Sequence, residues 1–449
     1  MNVLSLKPAE ARKNMQTLPS HWRTWITGKM RPRAEEPPLR SELFSIEQLA
    51  RHAEELADHH QVVTRRGSNS LLDRLEQNEE ILRAFNHTTL DISAGRRLTP
   101  ASEWLLDNFY LIEEQIQMAR RHLPRGYSRA LPRLLNGPSA GLPRVYDIVH
   151  ELISLADAQI DTAPLSAFIA AYQTVSPLKL GELWAIPIML RLGLIENLQR
   201  VATRLTLARA DRGLAAVWVD RLQDMAEKNP SHLVIVVADM AKSDLPLSSS
   251  FVAEFSQRLS RQSPVLHLAR SWLEQRLVDQ GLTIEHLVQQ ESQTQAGNRV
   301  SVSHSIASLR LLSAMDWKEF VESLSLVEKT LCTDPADIYR TMDFSTRDHY
   351  RHSVEAISLH SRFSEGEAAQ MAVHLAADGA LQKGYKDRTA HVGFYLIDQG
   401  QAMLGRLANV RWPWRTLVER NIRRFPLTFY AGGIVSLTLL ATLVFVRQA

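Results

Sequence analysis

PASEWLLDNFYLIEEQIQMARRHL, residues 100–123, is the stretch that decides the fold class. Thr99 can accept a hydrogen bond as the N-cap, Pro100 suits the first helical position, and Pro124 ends the helix. The apolar residues recur at spacings of four and three, which places one stripe on the helix: Leu105, Phe109, Ile112, Ile116, Ala119 and Leu123. The stretch therefore predicts a helix that packs against neighbouring helices.

The helical pattern begins at Ser45 and continues to about residue 409, without a convincing run of alternating strand residues. Leu233–Val237 is rich in β-branched residues, but it is short and is predicted as helix. The predicted helices are 45–59, 69–86, 100–123, 143–160, 177–209, 211–228, 231–241, 263–279, 281–296, 299–313, 316–332, 346–361, 365–382 and 397–409. The fold class is predicted to be all-α, a multi-helix bundle or irregular helical array.

The apolar stretch Leu178–Leu207 resembles a membrane span at first sight. Its densest part is short, and charged residues interrupt the stretch, among them Glu182, Arg191 and Glu196. The pattern favours a buried core helix kinked at Pro187.

Residues 425–446, FPLTFYAGGIVSLTLLATLVFV, contain no charged side chain. As a helix they would reach about 33 Å, which matches a hydrocarbon core of about 30 Å. The preceding flank is rich in arginine (Arg411, Arg415, Arg420, Arg423 and Arg424), whereas Arg447 alone follows. This bias predicts a transmembrane helix with the preceding 424 residues in the cytoplasm. Gly432 and Gly433 could allow close approach of a second span.

The first 40 residues carry eight Lys and Arg residues against three acidic ones. They predict a basic, loosely ordered arm near anionic lipid or in solvent. The predicted organisation is an arm over 1–42, a helical cytosolic domain over 43–410 with a subdomain break suggested near 242–262, a basic juxtamembrane segment over 411–424, a transmembrane helix over 425–446 and a short tail over 447–449.

Composition excludes several classes of protein. Of 449 residues, 45% are hydrophobic and 22% are charged, as in ordinary globular proteins. The net charge is +3 and the basic residues are scattered, so no nucleic-acid partner is expected. Cys332 is the single cysteine, which excludes an intramolecular disulfide and fits a reducing compartment.

The motifs of an inverting nucleotide-sugar transferase are missing from the sequence. Such an enzyme needs carboxylates for a divalent metal, usually Asp-x-Asp, and none occurs. The acceptor motif Gln-x-x-Arg-Trp has only a partial counterpart at residues 408–412, which lacks the glutamine.

The histidines are candidates for a metal site. His349 and His352 lie three residues apart and His360 follows two turns later, so one helix face could offer two imidazoles. No third ligand completes a recognised spacing, and polar packing is the favoured interpretation. The same interpretation applies to the pairs His59–His60 and His150–Glu151.

Cysteine and carboxylate side chains could also carry chemistry. Cys332 has no evident His or Asn partner and is interpreted as a small core residue. A hydrolase built on Glu113 and Glu114, or on the His349 and His352 pair, is the third and least favoured alternative. Glu103, Asp107 and Glu114 are interpreted as a solvated helix face. We therefore predict no catalytic, cofactor-binding or metal-binding residue in this chain.

Several stretches in order resemble the N-terminal region of cyclic β-1,2-glucan synthases. They are Arg97–Ile116, Pro143–Val149, Tyr172–Arg191, Ala269–Arg276, Met342–His352 and His391–Ile397, and the resemblance extends over about residues 40 to 446. It implies a very large bacterial inner-membrane enzyme that uses UDP-glucose to build a cyclic glucan for the periplasm. It also implies that the transferase, glycoamylase-like and phosphorylase-like domains, which would bind UDP-glucose and a divalent metal, lie outside this chain.

Two interpretations of function follow from these observations. In the first, the chain is the non-catalytic, membrane-anchored helical part of such a synthase, a fragment or separately encoded piece that docks to or regulates the transferase domain. In the second, it is a self-standing membrane-anchored helical adaptor. Both place the helical domain in the cytoplasm, at the bacterial inner membrane.

Overall fold

A computed structural model describes residues 44–63, 70–93, 98–123, 130–243, 245–260 and 266–411, together with residues 430, 434 and 438. These residues are almost entirely helical, as predicted. Their α-helices include α1 (Ile46–His59), α2 (Ser70–Ser93), α3 (Pro100–Asp107), α4 (Phe109–His122), α5 (Arg144–Leu155), α6 (Thr162–Val175), α7 (Leu180–Lys228), α8 (Leu233–Lys242), α9 (Ser249–Ser260), α10 (His267–Val278), α11 (Ile284–Ala314), α12 (Trp317–Leu324), α13 (Leu326–Leu331), α14 (Phe344–Leu359), α15 (Glu365–Lys383), α16 (Val392–Leu396) and α17 (Gln401–Leu407).

The chain divides into two compact units between Trp317 and Lys318. We refer to the part up to Trp317 as unit 1 and to the part from Lys318 as unit 2. The subdomain break suggested near 242–262 lies inside unit 1. There, Val237 and Met240 before that segment share one core with Leu266 and Leu273 after it.

Helix α7 is the centre of unit 1, with α2, α4, α5, α8, α9 and α11 packed against it. Every residue from Ala185 to Ile195 is buried, including Pro187, so this part is the core helix that the sequence predicted. The sequence divided the helix near residue 210, but it is continuous over 49 residues. The helix continues past residue 210 because its later turns are buried in a hydrophobic core. In that core, Ala215, Val219 and Leu222 pack with α8 and α9.

Residues 100–123 are helical with one interruption. Thr99 accepts a hydrogen bond from the Ser102 backbone N–H, as a cap should, and all six predicted stripe residues are buried. The helix breaks at Asn108, whose side-chain amide donates to the Trp104 carbonyl while its oxygen accepts from Arg310 at 2.6 Å. Side-chain bonding to the local backbone competes with helix continuation, which explains α3 and α4 as separate helices.

Other helices differ from prediction in length. Helix α11 is continuous over 31 residues, although the sequence suggested two helices. Helix α8 confirms that Leu233–Val237 is helical. Helices α6 and α9 were not predicted. Two short strands, β1 (Val62–Val63) and β2 (Arg133–Leu134), pair antiparallel in unit 1.

Helix α15 is the centre of unit 2, where it contacts α13, α14, α16 and α17. Small residues let these elements approach closely: Ala368, Ala369, Ala372, Ala376, Gly379 and Ala380. A β-carbon at Gly379 would lie 2.2 Å from the Thr389 carbonyl oxygen, so this contact requires glycine.

Across the described ranges, no helix has both the length and the apolar character needed to cross a bilayer. The arm over 1–42 and the predicted span over 425–446 lie outside the described residues, apart from Tyr430, Ile434 and Thr438. Beyond Arg411, the juxtamembrane segment lies outside them too, and these three assignments remain predictions.

Asp343 is the N-cap of helix α14, and its lowered pKa predicts that stability depends on pH in the acid range. Asp343 accepts hydrogen bonds from the side chains and backbone of Ser345 and Thr346, which lowers its pKa from 3.8 to about 2. Because the folded-state pKa is depressed, the stabilisation is present above pH 3.8 and is lost as the pH falls through about 2. Titration of ¹³C-labelled aspartate carboxyls, assigned with Asp343→Asn, should show this midpoint; one near 3.8 would contradict the cap.

Candidate functional site

Unit 2 contains a buried Asp–His–Tyr arrangement. The His391 Nδ1 atom lies 2.6 Å from Asp334 Oδ2, and the Tyr350 hydroxyl lies 3.3 Å from His391 Nε2. Asp334 has no exposed side-chain surface, and its Oδ1 atom accepts the Val392 backbone N–H at 3.0 Å. The three side chains therefore form one polar cluster at the edge of the core of unit 2.

Local sequence brings these groups together. Asp387 caps the short 3-10 helix Arg388–Ala390, after which His391 is extended and begins α16. Gly393 follows on the first turn of α16. A β-carbon there would lie 2.3 Å from the Tyr350 hydroxyl oxygen and 2.8 Å from His391 Nε2, so glycine is what allows the cluster to form.

One tautomer of His391 satisfies both hydrogen bonds. With the proton on Nδ1 donated to the Asp334 carboxylate, Nε2 is left as an acceptor for the Tyr350 hydroxyl. Burial, and then the Asp334 charge, raise the pKa of Tyr350, so its phenol stays protonated. The Tyr350 oxygen retains lone pairs that can accept a hydrogen bond from a ligand.

An open pocket of about 790 Å³ lies over this cluster. Its base includes Tyr350, His391 and Gly393. The remaining lining residues, all in unit 2, are Ala336, Ile338, Tyr385, Lys386, Asp387, Arg388, Phe394, Ile397 and Asp398. A pocket of this volume with a few fixed polar groups can hold a small ligand.

A second polar network in unit 2 surrounds Arg351, which is completely buried. Its Nη1 atom donates to Glu322 and to Glu328 at 2.7 Å each. Glu328 also accepts from the Tyr339 hydroxyl at 2.6 Å and from Arg347 at 3.0 Å. Burial alone would lower the pKa of Arg351, but the hydrogen bonds that Arg351 donates to Glu322 and Glu328 outweigh it and the pKa is raised.

Unit 1 has a comparable buried ion pair between α5 and α7. Arg144 Nε and Nη2 each donate to one carboxylate oxygen of Glu182 at 2.7 Å. The same guanidinium donates to the Ser176 hydroxyl and to the Pro177 carbonyl, both at 2.7 Å. Planar, bidentate pairing of this kind fixes the angle between two elements as well as contributing energy.

Two further contacts connect α7 to its neighbours in unit 1. Arg191 donates to the Gln115 side chain on α4 at 3.0 Å and to the Leu312 carbonyl on α11 at 3.2 Å. The Asn197 amide donates to Ser301 and Ser305 on α11, at 2.9 Å each. Polar residues of the apolar stretch Leu178–Leu207 therefore bind other helices.

The histidine candidates form local or structural hydrogen bonds. His352 and His360 bond through Nδ1 to carbonyls of their own helix, while His349 is exposed. His60 lies between the Tyr172 hydroxyl, at 2.9 Å, and Asp147, at 3.2 Å. Within the described part of the chain, no group of three or more His, Cys, Asp or Glu side chains is placed to hold a metal ion.

The cysteine and glutamate candidates show no arrangement that would activate them for catalysis. Cys332 is half-buried, and its thiol lies 3.7 Å from Glu328 Oε1. Burial, followed by the neighbouring Glu328 charge, raises the pKa of this thiol and disfavours the nucleophilic thiolate. Glu113 pairs with Arg83 at 3.4 Å, and Glu114 is exposed on the helix surface.

The pocket residues were missed by inspection of the sequence. One signal was available, because His391 begins a stretch that carries the family resemblance, and Tyr350 lies within another. The resembling stretches of unit 1 likewise contribute Gln115, Arg144 and Arg191 to its buried contacts.

The fold defines an all-α protein. Its stretches that resemble cyclic β-1,2-glucan synthases contribute residues to the buried polar contacts between its helices. Cyclic beta-(1,2)-glucan synthase NdvB of Rhizobium meliloti (strain 1021) is 30% identical to this chain over 372 residues, which are 82% of the chain and 13% of that synthase. The resemblance is thereby confirmed, and the match is consistent with the N-terminal region of such a synthase. No family model matches the chain.

Proposed function

We propose that this chain is a non-catalytic helical part of a bacterial cyclic β-1,2-glucan synthase system. The observation that carries the proposal is the similarity, over most of the chain, to a small part of such a synthase. In this role the helical units support or regulate UDP-glucose-dependent glucan synthesis at the cytoplasmic face of the inner membrane, next to the transferase domain. Residues 425–446 are the proposed membrane anchor, and UDP-glucose and its metal would bind the transferase domain.

The internal contacts of both units favour a structural role for this chain. Buried arginines bond across helices in both units, at Arg144 and Arg191 in unit 1 and at Arg351 in unit 2. A framework of this kind keeps helix surfaces in fixed positions, as docking to a partner domain requires.

A chimera tests the proposal directly. This chain would replace the matching region of the Rhizobium synthase, and glucose incorporation from labelled UDP-glucose into β-1,2-glucan would be measured in membranes. The chimera should make glucan, and a synthase lacking the region should not. A chimera that reaches the same level in membranes but makes no glucan would overturn the proposal.

Two controls separate the parts of the proposal. Membranes that contain this chain alone should incorporate no glucose, and clear glucan synthesis by the chain alone would contradict its non-catalytic role. For the anchor, a reporter joined after Ala449 should behave as periplasmic; cytoplasmic behaviour would contradict the arginine-based orientation.

A further inference from the structure

The charged side chains that line the pocket over His391 have mixed signs. Its lining contains two cations, Lys386 and Arg388, and two carboxylates, Asp387 and Asp398. Arg388 pairs with Asp398, while Asp334 adds a further negative charge behind His391. A phosphate or diphosphate would meet Asp387 and Asp398 at short range, and a cation would meet Lys386 and Arg388. The charge distribution therefore favours a neutral, polar ligand.

The rim of the pocket is apolar and partly aromatic. Tyr385 is 65% exposed, and Ile338 and Ile397 are 46% and 43% exposed. Tyr385 is the most exposed aromatic residue of the lining, whereas Phe394 is partly buried and has the Arg388 guanidinium 5.5 Å from its ring centroid. An exposed ring beside aliphatic side chains can pack against the C–H face of a flat, hydroxylated ligand.

The base of the pocket supplies a fixed hydrogen-bond acceptor. Because the Tyr350 proton is directed to His391 Nε2, the Tyr350 oxygen can accept from a ligand hydroxyl group. Asp334 holds the imidazole in place, so the acceptor is held in position before a ligand arrives. Gly393 packs closely against this hydroxyl, because a β-carbon at position 393 would approach the Tyr350 oxygen to 2.3 Å.

We propose that this pocket binds a neutral saccharide, with a sugar ring packed on Tyr385 and a sugar hydroxyl donating to the Tyr350 oxygen. The volume of about 790 Å³ accommodates a short oligosaccharide. The proposal is independent of the role in glucan synthesis, because a saccharide site can be present or absent in a supporting domain.

Binding is tested with the full chain, purified in a detergent without a sugar headgroup, since a maltoside would compete. The probes are three glucose trisaccharides of different linkage: sophorotriose (β-1,2), laminaritriose (β-1,3) and maltotriose (α-1,4). Calorimetry should show at least one binding with a Kd of about 1 mM or tighter, whereas UDP and inorganic phosphate should not bind. If no trisaccharide binds, or if UDP or phosphate binds instead, the proposal is overturned.

Substitutions at the exposed ring locate the site. Tyr385→Ala should weaken trisaccharide binding about tenfold, and Tyr385→Phe, which keeps the ring, should change it less than about twofold. Tyr110→Ala is the matched control, because Tyr110 is also 65% exposed but lies in unit 1. Equal binding by wild type and Tyr385→Ala, or equal losses in Tyr385→Ala and Tyr110→Ala, would overturn the assignment. Because Tyr385 is mostly exposed, circular dichroism of the variants should match that of the wild type.

Discussion

Replacing Glu182 by alanine is expected to lower the free energy of unfolding of unit 1 by about 3–5 kcal/mol. Glu182 is completely buried, and both of its carboxylate oxygens accept from Arg144. Burial by itself would lower the pKa of Arg144, but Glu182 outweighs this effect and the pKa is raised. Alanine would leave a buried guanidinium without its counter-charge, and that desolvation cost is the main source of the loss.

Hydrogen exchange at the amides of α5 and α7 is the suitable measurement. Melting of the whole chain need not be two-state when the chain has two units. Glu274→Ala is the control, because the Glu274 side chain pairs with Arg270 and is 46% exposed. This substitution should lower the free energy of unfolding by less than about 1 kcal/mol. The double variant Arg144→Met/Glu182→Met removes both charges and should be more stable than Glu182→Ala. A double variant as unstable as the single one would contradict the unpaired-charge explanation.

Replacing Arg351 by methionine is expected to destabilise unit 2 by about 3–5 kcal/mol. Methionine keeps most of the aliphatic volume, so the loss comes from the charge and its hydrogen bonds. Glu322 and Glu328 would face each other with Arg347 as their remaining cationic partner, at 2.9 and 3.0 Å. The Phe344 ring would also lose the guanidinium now 5.0 Å from its centroid.

The measurement is again hydrogen exchange, at the amides of α13 and α14. Lys329→Met removes one positive charge from an exposed position on α13 and should be nearly neutral, within about 0.5 kcal/mol. Equal hydrogen-exchange protection of the α13 and α14 amides in Arg351→Met and Lys329→Met would show that the buried network contributes nothing to the stability of unit 2.

The two largest predicted losses of stability involve Glu182 and Arg351, and the sequence pattern did not indicate the structural role of either residue. Glu182 served only to exclude a membrane span from Leu178–Leu207, and its partner Arg144 lies 38 positions earlier. Arg351 was one residue of a stretch examined for histidines. A local pattern indicates that such a residue is polar, but it cannot indicate which distant residue neutralises it, because the partner is set by helix packing.

The candidate site was outside the reach of local patterns for the same reason. Asp334 and His391 are 57 positions apart, and Tyr350 lies 41 positions before His391. No sequence spacing encodes that arrangement. The histidines with a suggestive spacing, His349 and His352, lie on one helix, and His352 bonds to its own backbone.

The sequence by itself determined the all-α class, the buried stripe and Thr99 cap of residues 100–123, the core character of Leu178–Leu207 and the resemblance to glucan synthases. These follow from local periodicity, capping chemistry and ordered residue identity, which need no knowledge of the fold. The tertiary contacts explain why α7 and α11 run unbroken, why Arg310 bonds to Asn108 where a helix is interrupted, and why His391 lies against Asp334 beside a pocket. Each of these depends on a partner far away in sequence, and burial against that partner outweighs the weak local preference of the chain.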